Sequence, residues 1–67
     1  MEYAITDGKR TVWMGGYEDF DRALCEHAGA RELYVFSRFD ADEDWAYQFT
    51  VKWDAKVSNF ETLYAPK

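Results

Sequence analysis

The sequence predicts an α+β domain: an antiparallel sheet packed on one helix, in the order ββαββ, with a short C-terminal helical segment. Three observations predict it. Two pairs of alternating apolar runs each flank a turn signal. A stretch of 3.6-residue periodicity separates the two pairs. Aromatic residues make up 19% of the chain, and each ring buries a large area, which compensates for the small core of a short chain. The 67 residues are read as one domain, 1–67, since no linker, repeat or low-complexity tract divides them.

The first hairpin is read from Glu2-Tyr3-Ala4-Ile5-Thr6 and Lys9-Arg10-Thr11-Val12-Trp13-Met14 around Asp7-Gly8. Asp-Gly is a two-residue turn signal of type I′. Pairing Thr6 with Lys9 sets Tyr3 opposite Val12, with Ile5, Met14 and Arg10 on that core side. Glu2, Ala4, Thr11 and Trp13 take the other side.

Gly15-Gly16 breaks the strand, and a helix is expected from Tyr17 or Glu18 to Ala28. Tyr17, Phe20, Ala23, Leu24, His27 and Ala28 fall on one stripe. Glu18, Asp19 and Asp21 occupy the first turn, where the helix dipole favours anions. Glu18 with Arg22, and Arg22 with Glu26, have i,i+4 spacing. Gly29 is the expected stop.

The second hairpin spans Leu33 to Trp53. Pairing Phe39 with Trp45 sets Val35 opposite Phe49 and Leu33 opposite Val51. The core face then carries Leu33, Val35, Phe39, Trp45, Tyr47, Phe49 and Val51, with Trp53 at its end. The opposite face carries Tyr34, Phe36, Arg38, Ala46, Gln48, Thr50 and Lys52. The tip between the strands, Asp40-Ala41-Asp42-Glu43-Asp44, is almost all carboxylate. Near the end, Ser58-Asn59-Phe60-Glu61 has capping-box spacing. Phe60, Leu63 and Tyr64 then suggest a turn or two of helix before Pro66.

One helix covers one face of a sheet, which leaves Trp13, Tyr34 and Phe36 on the far side. Either the C-terminal segment folds over them or a second molecule does, because contiguous exposed aromatic surface marks an interaction site.

The search for chemistry is mostly negative. Cys25 and His27, two residues apart on a helix, point to different sides and cannot chelate together. His27 is explained by packing and its place in the last helical turn. Cys25 lacks a neighbouring base and reads as a boundary residue rather than a nucleophile. Asp40, Asp42 and Asp44 alternate like calcium-loop ligands. The glycine position is Trp45, however, and the bidentate glutamate position is Val51, so that pattern fails. An exposed tip cannot raise a carboxyl pKa by burial, which disfavours acid–base catalysis. The expectation is a non-enzyme with no cofactor and no metal.

Charge bounds the partners. A net charge of −5 with pI near 4.6 disfavours direct binding to nucleic acid or an anionic membrane and suits a basic protein surface. No apolar run approaches the ~20 residues of a membrane span, and a soluble, cytoplasmic setting is expected. Two function classes follow. In the first, Asp40, Asp42, Glu43 and Asp44, with Glu18, Asp19 and Asp21, compete with nucleic-acid phosphates for a basic groove, with Trp13, Tyr34 and Phe36 as anchors. The second is a self-associating structural or regulatory module that dimerises through its aromatic sheet face. For the tip itself, the plain alternative is a solvated turn that aids solubility.

A small, acidic, aromatic-rich, cysteine-poor ββαββ chain without a catalytic constellation resembles the inhibitors that phages encode against host machinery. Anti-CRISPR proteins are the best-known group. The resemblance rests on size, charge and element order over the whole chain, and no residue is carried over from it. It implies a bacterial cytoplasmic host, a large nucleic-acid-handling target such as a CRISPR effector, and inhibition by occlusion of its nucleic-acid channel.

Overall fold

The computed structural model describes residues 1–29 and 32–66. Five strands form one antiparallel sheet: β1 (Glu2–Thr6), β2 (Thr11–Gly16), β3 (Leu33–Arg38), β4 (Ala46–Asp54) and β5 (Asn59–Tyr64), in the spatial order β2-β1-β3-β4-β5. A single 3-10 turn, Tyr17–Asp19, leads into the helix α1 (Phe20–Glu26) between β2 and β3. The class is therefore α+β with more sheet than expected, and the element order is ββαβββ.

The C-terminal segment corrects the expected helix. Asn59–Tyr64 is the fifth strand, with Phe60 opposite Trp53 and Asn59 opposite Asp54. A helix there would have left the edge of β4 unpaired, and a strand satisfies those groups. The turn before it is closed by side chain and backbone. Asp54 Oδ1 accepts from Lys56 N at 2.9 Å, and Val57 N donates to Asp54 O at 3.3 Å. Ser58, the expected helix cap, instead takes a left-handed conformation at φ 51°.

The β1–β2 connection also departs from the two-residue turn. Thr6 pairs with Thr11, and the register shifts between Ile5 and Thr6. The loop Asp7–Arg10 is held by Asp7 Oδ1, which accepts from Lys9 N at 2.9 Å and Arg10 N at 3.0 Å. Gly8 in this loop has φ 91°, a conformation glycine adopts without Cβ strain. These two amide donors hold the Asp7 carboxyl below its ordinary value. The extra residue in β2 reverses its faces. Ile5 now stands opposite Trp13, and Ala4 opposite Met14.

The core lies between the sheet and α1. Ile5, Leu33, Val35 and Val51 from the sheet meet Phe20, Ala23 and Leu24 from the helix, all buried. Tyr3, Trp13, Phe49 and Phe60 pack around this centre. Fully burying such aliphatic side chains contributes about 1.5–3 kcal/mol each. The α-helix is shorter than its stripe predicts. It ends at Glu26, with His27 as its C-cap. Tyr17, expected on the buried stripe, is exposed, although its ring stays 5.8 Å from that of Tyr3. The expected i,i+4 pairs give way to one i,i+3 pair, Arg22 with Asp19 at 3.0 Å.

Candidate functional site

Strand direction decides which residues meet. β2 and β3 are both antiparallel to β1, so they run parallel to each other. Glu2 stands opposite both Gly16 and Arg38, the last residues of those two strands. The chain leaves β2 into the 3-10 turn with Glu18 and Asp19, then Asp21 at the start of α1. It leaves β3 into the tip with Asp40, Asp42, Glu43 and Asp44. Two acidic segments far apart in sequence thus emerge at the same end of the sheet, and all seven of these residues are exposed.

The two cations at this end are engaged. Arg22 Nη2 bonds Asp19 Oδ1 at 3.0 Å, and Arg38 Nε bonds Glu2 Oε1 at 2.9 Å. Arg38 also lies over the Trp45 ring, 4.2 Å from its centroid. This anchors the base of the tip, since a guanidinium is attracted to the indole face. Among the described residues none of the four tip carboxylates forms an ion pair. They differ in role, however. Glu43 Oε1 accepts from Asp40 N at 3.1 Å, and Glu43 N donates to Asp40 O at 3.0 Å, so Glu43 closes the loop. Asp40, Asp42 and Asp44 present their carboxylates to solvent.

At the opposite end lie the Asp7–Arg10 loop, with Lys9 and Arg10, and the β4–β5 turn, with Lys56. The carboxylates there are largely engaged: Asp7 and Asp54 by backbone amides, and Glu32 by the Tyr34 hydroxyl. A hydrogen bond does not cancel a carboxylate's charge, so Asp7, Glu32 and Asp54 offset Lys9, Arg10 and Lys56, and the excess negative charge of the described residues gathers at the tip end.

The aromatic surface needs correction. Tyr34 and Phe36 do lie on the face away from the helix, both half-buried. Trp13 does not. It sits on the helix side, with its ring 6.3 Å from Phe20. Met14 takes its place on the open face, 52% exposed. A second shift between Val35 and Phe36 moves Tyr47 opposite Phe36, off the expected core face. The Phe36 and Tyr47 rings meet edge-on at 5.6 Å, and Tyr47 stacks on Tyr64 at 6.1 Å. The Tyr47 and Thr50 hydroxyls are hydrogen-bonded to each other. Phe39, also expected inside, is 69% exposed at the tip. The C-terminal segment does not fold over the face. It extends the sheet and adds Tyr64 to the aromatic row.

Two depressions interrupt the open face. One, of about 210 Å³, is mainly apolar and is lined by Ala4, Met14, Phe36 and Trp45 with Thr6 and Thr11. The other is wider and is lined by Thr6, Thr11, Tyr34 and the Gly8–Arg10 backbone turn. Tyr34 Oη donates to Glu32 Oε2 at 2.7 Å, and this bond to a carboxylate pushes the phenol pKa up. Cys25 is a free, exposed thiol, and His27 is half-buried. Among the described residues no group of three or more His, Cys, Asp or Glu side chains is placed to hold a metal, and no helix is long and apolar enough to cross a membrane.

The fold and the site define a small α+β domain with one helix-covered face, one open aromatic face and one acidic end. No protein-family model matches the chain, and no curated protein and no solved structure is significantly similar to it.

Proposed function

We propose that the chain is an acidic protein-binding inhibitor that occludes a basic, nucleic-acid-binding surface by charge mimicry. This is the mode implied by its resemblance to phage-encoded, anti-CRISPR-like inhibitors, which act in a bacterial cytoplasm. The observation that carries the reading is the convergence of Glu18, Asp19 and Asp21 with the 40–44 tip at one end of the sheet. Folding does not require Asp40, Asp42 and Asp44 to be charged, and crowded like charges repel. A Lys/Arg-rich groove built for phosphates would offset that repulsion and gain long-range attraction. The partner is a basic protein rather than nucleic acid, whose phosphates the same carboxylates repel. The activity is one of binding, with no catalytic step.

The test is capture from a bacterial lysate with the wild-type chain and with the Asp40→Asn/Asp42→Asn/Asp44→Asn variant, followed by challenge with duplex DNA. The wild type should retain nucleic-acid-binding proteins that DNA displaces, and the neutral variant should lose them. Identical capture by both chains, or captured proteins that DNA leaves in place, would reject the reading.

A further inference from the structure

We propose that Arg38 is the positioning residue of the acidic tip: clamped between Glu2 and Trp45, its guanidinium holds residues 39–45 in the shape that presents their carboxylates to a basic partner. The binding consequence rests on the inhibitor reading. The ordering of the tip is a property of the chain alone.

The backbone ladder stops short of the tip. Ser37 and Ala46 are the last partners of β3 and β4. Beyond them, the hydrogen bonds described within the tip are the two between Asp40 and Glu43. These close the turn but do not tie it to the sheet. Asp40, Asp42, Glu43 and Asp44 repel one another, and repulsion alone would spread such a loop. Its root is therefore where the tip has to be fixed.

Three side chains meet at that root. Glu2 and Arg38 are register partners in β1 and β3, and Trp45 immediately precedes β4. Arg38 Nε donates to Glu2 Oε1 at 2.9 Å, and Arg38 Cζ lies 4.2 Å from the centroid of the Trp45 ring. The ion pair orients the guanidinium, which is a rigid planar fork. Its face then receives the indole from the returning limb of the loop. The stack joins the two limbs at the point where backbone pairing has ended. The Arg38 side chain is only 16% exposed, and a cation–π contact strengthens as water is excluded. Its ion-pair partner is Glu2 rather than a tip carboxylate. The tip thus keeps its charge as well as its shape.

A tip held in place before contact loses less freedom on binding. Arg38 therefore favours binding to a basic surface although its own charge opposes it. Shape and charge predict opposite results when it is removed, and that opposition makes the role testable.

Backbone amide relaxation measured by NMR on the whole chain tests the ordering. In Arg38→Gln and in Trp45→Leu, order parameters over 40–45 should fall from about 0.85 to below about 0.6, the flexible range. Those of Val35 and Phe49 in the sheet should not change. Trp45→Tyr keeps a ring face for the guanidinium and should preserve the order of the tip. The lysate capture then tests the consequence. Arg38→Gln makes the chain one unit more negative, so steering by charge alone would raise its retention of DNA-displaceable proteins. Positioning should instead lower that retention by about 5-fold, the effect of having to order a side chain on binding. Trp45→Leu, which changes no charge, should lower it likewise, and Trp45→Tyr should restore it. Tip order parameters unchanged in either Arg38→Gln or Trp45→Leu overturn the proposal. Retention that rises in Arg38→Gln overturns it too. A wild type that retains no DNA-displaceable protein overturns the binding consequence together with the inhibitor reading, and the relaxation data alone then decide whether Arg38 orders the tip.

Discussion

The indole of Trp13 lies over Gly15, so closely that a Cβ built on the glycine would stand 2.5 Å from Cζ2 of the ring. The ring reaches this place because the β1–β2 register shift turns Trp13 towards α1, where it meets Phe20. Gly15→Ala should therefore push the indole off Phe20. A loss of about 1–3 kcal/mol follows from forcing a packed ring to shift. Urea unfolding followed by tryptophan fluorescence reads both the stability and the altered ring environment. An alanine variant with wild-type emission and midpoint would mean that the ring is free to swing aside.

Leu24 is the helix side chain at the centre of the core, 7% exposed among Ile5, Leu33, Val35 and Val51. Leu24→Ala removes three carbons that the sheet cannot follow inwards. The expected loss is about 2–5 kcal/mol, a large part of the stability of a domain this small. Thermal unfolding by circular dichroism should show a clear fall in Tm, and an unchanged Tm would contradict the helix-on-sheet core.

The acidic tip should divide into two kinds of residue. Glu43→Ala removes the acceptor for Asp40 N and should cost up to about 1 kcal/mol. Glu43→Gln keeps an oxygen in place and should cost less. Asp40→Asn, Asp42→Asn and Asp44→Asn together should leave stability unchanged or slightly raised, because only repulsion is lost. Chemical denaturation of these variants side by side separates the loop-closing carboxylate from the solvent-facing ones.

Tyr34 should be a late-ionising phenol. Its hydroxyl donates to Glu32, and ionisation would both break that bond and set two negative charges together. The folded-state value is raised above 10.0, so the favourable contribution is fully present below pH 10.0 and disappears as pH climbs through the folded value. Ultraviolet titration of tyrosinate should lose its highest-pH component in Tyr34→Phe. In Glu32→Gln that component should move down.

The legible parts of this fold are those where periodicity and register agree. Leu33 opposite Val51 and Val35 opposite Phe49 follow from the alternation of the two strands, as does the buried stripe of Phe20, Ala23 and Leu24. The reversed strand faces trace to an added residue, and the misassigned last element to an ambiguous stripe. A single extra residue reverses every side chain beyond it, which moved Trp13 inwards and Met14 and Tyr47 outwards. Nothing in the side-chain pattern announces those shifts. Phe60, Leu63 and Tyr64 fit a helical stripe, while Phe60, Thr62 and Tyr64 fit a strand. The free edge of β4, invisible in a linear reading, decides for the strand. Of the candidate site, the acidic tip was legible as a loop, but its placement at the same end of the sheet as the 18–21 segment depends on the parallel course of β2 and β3.

That shared end has a kinetic meaning. When net negative charge gathers where β2 and β3 finish while the other end is near neutral, an external positive field exerts torque as well as pull. The molecule rotates while it is still separated from the surface by solvent, and the tip leads. Alignment is then achieved during approach, and fewer collisions are wasted on wrong orientations.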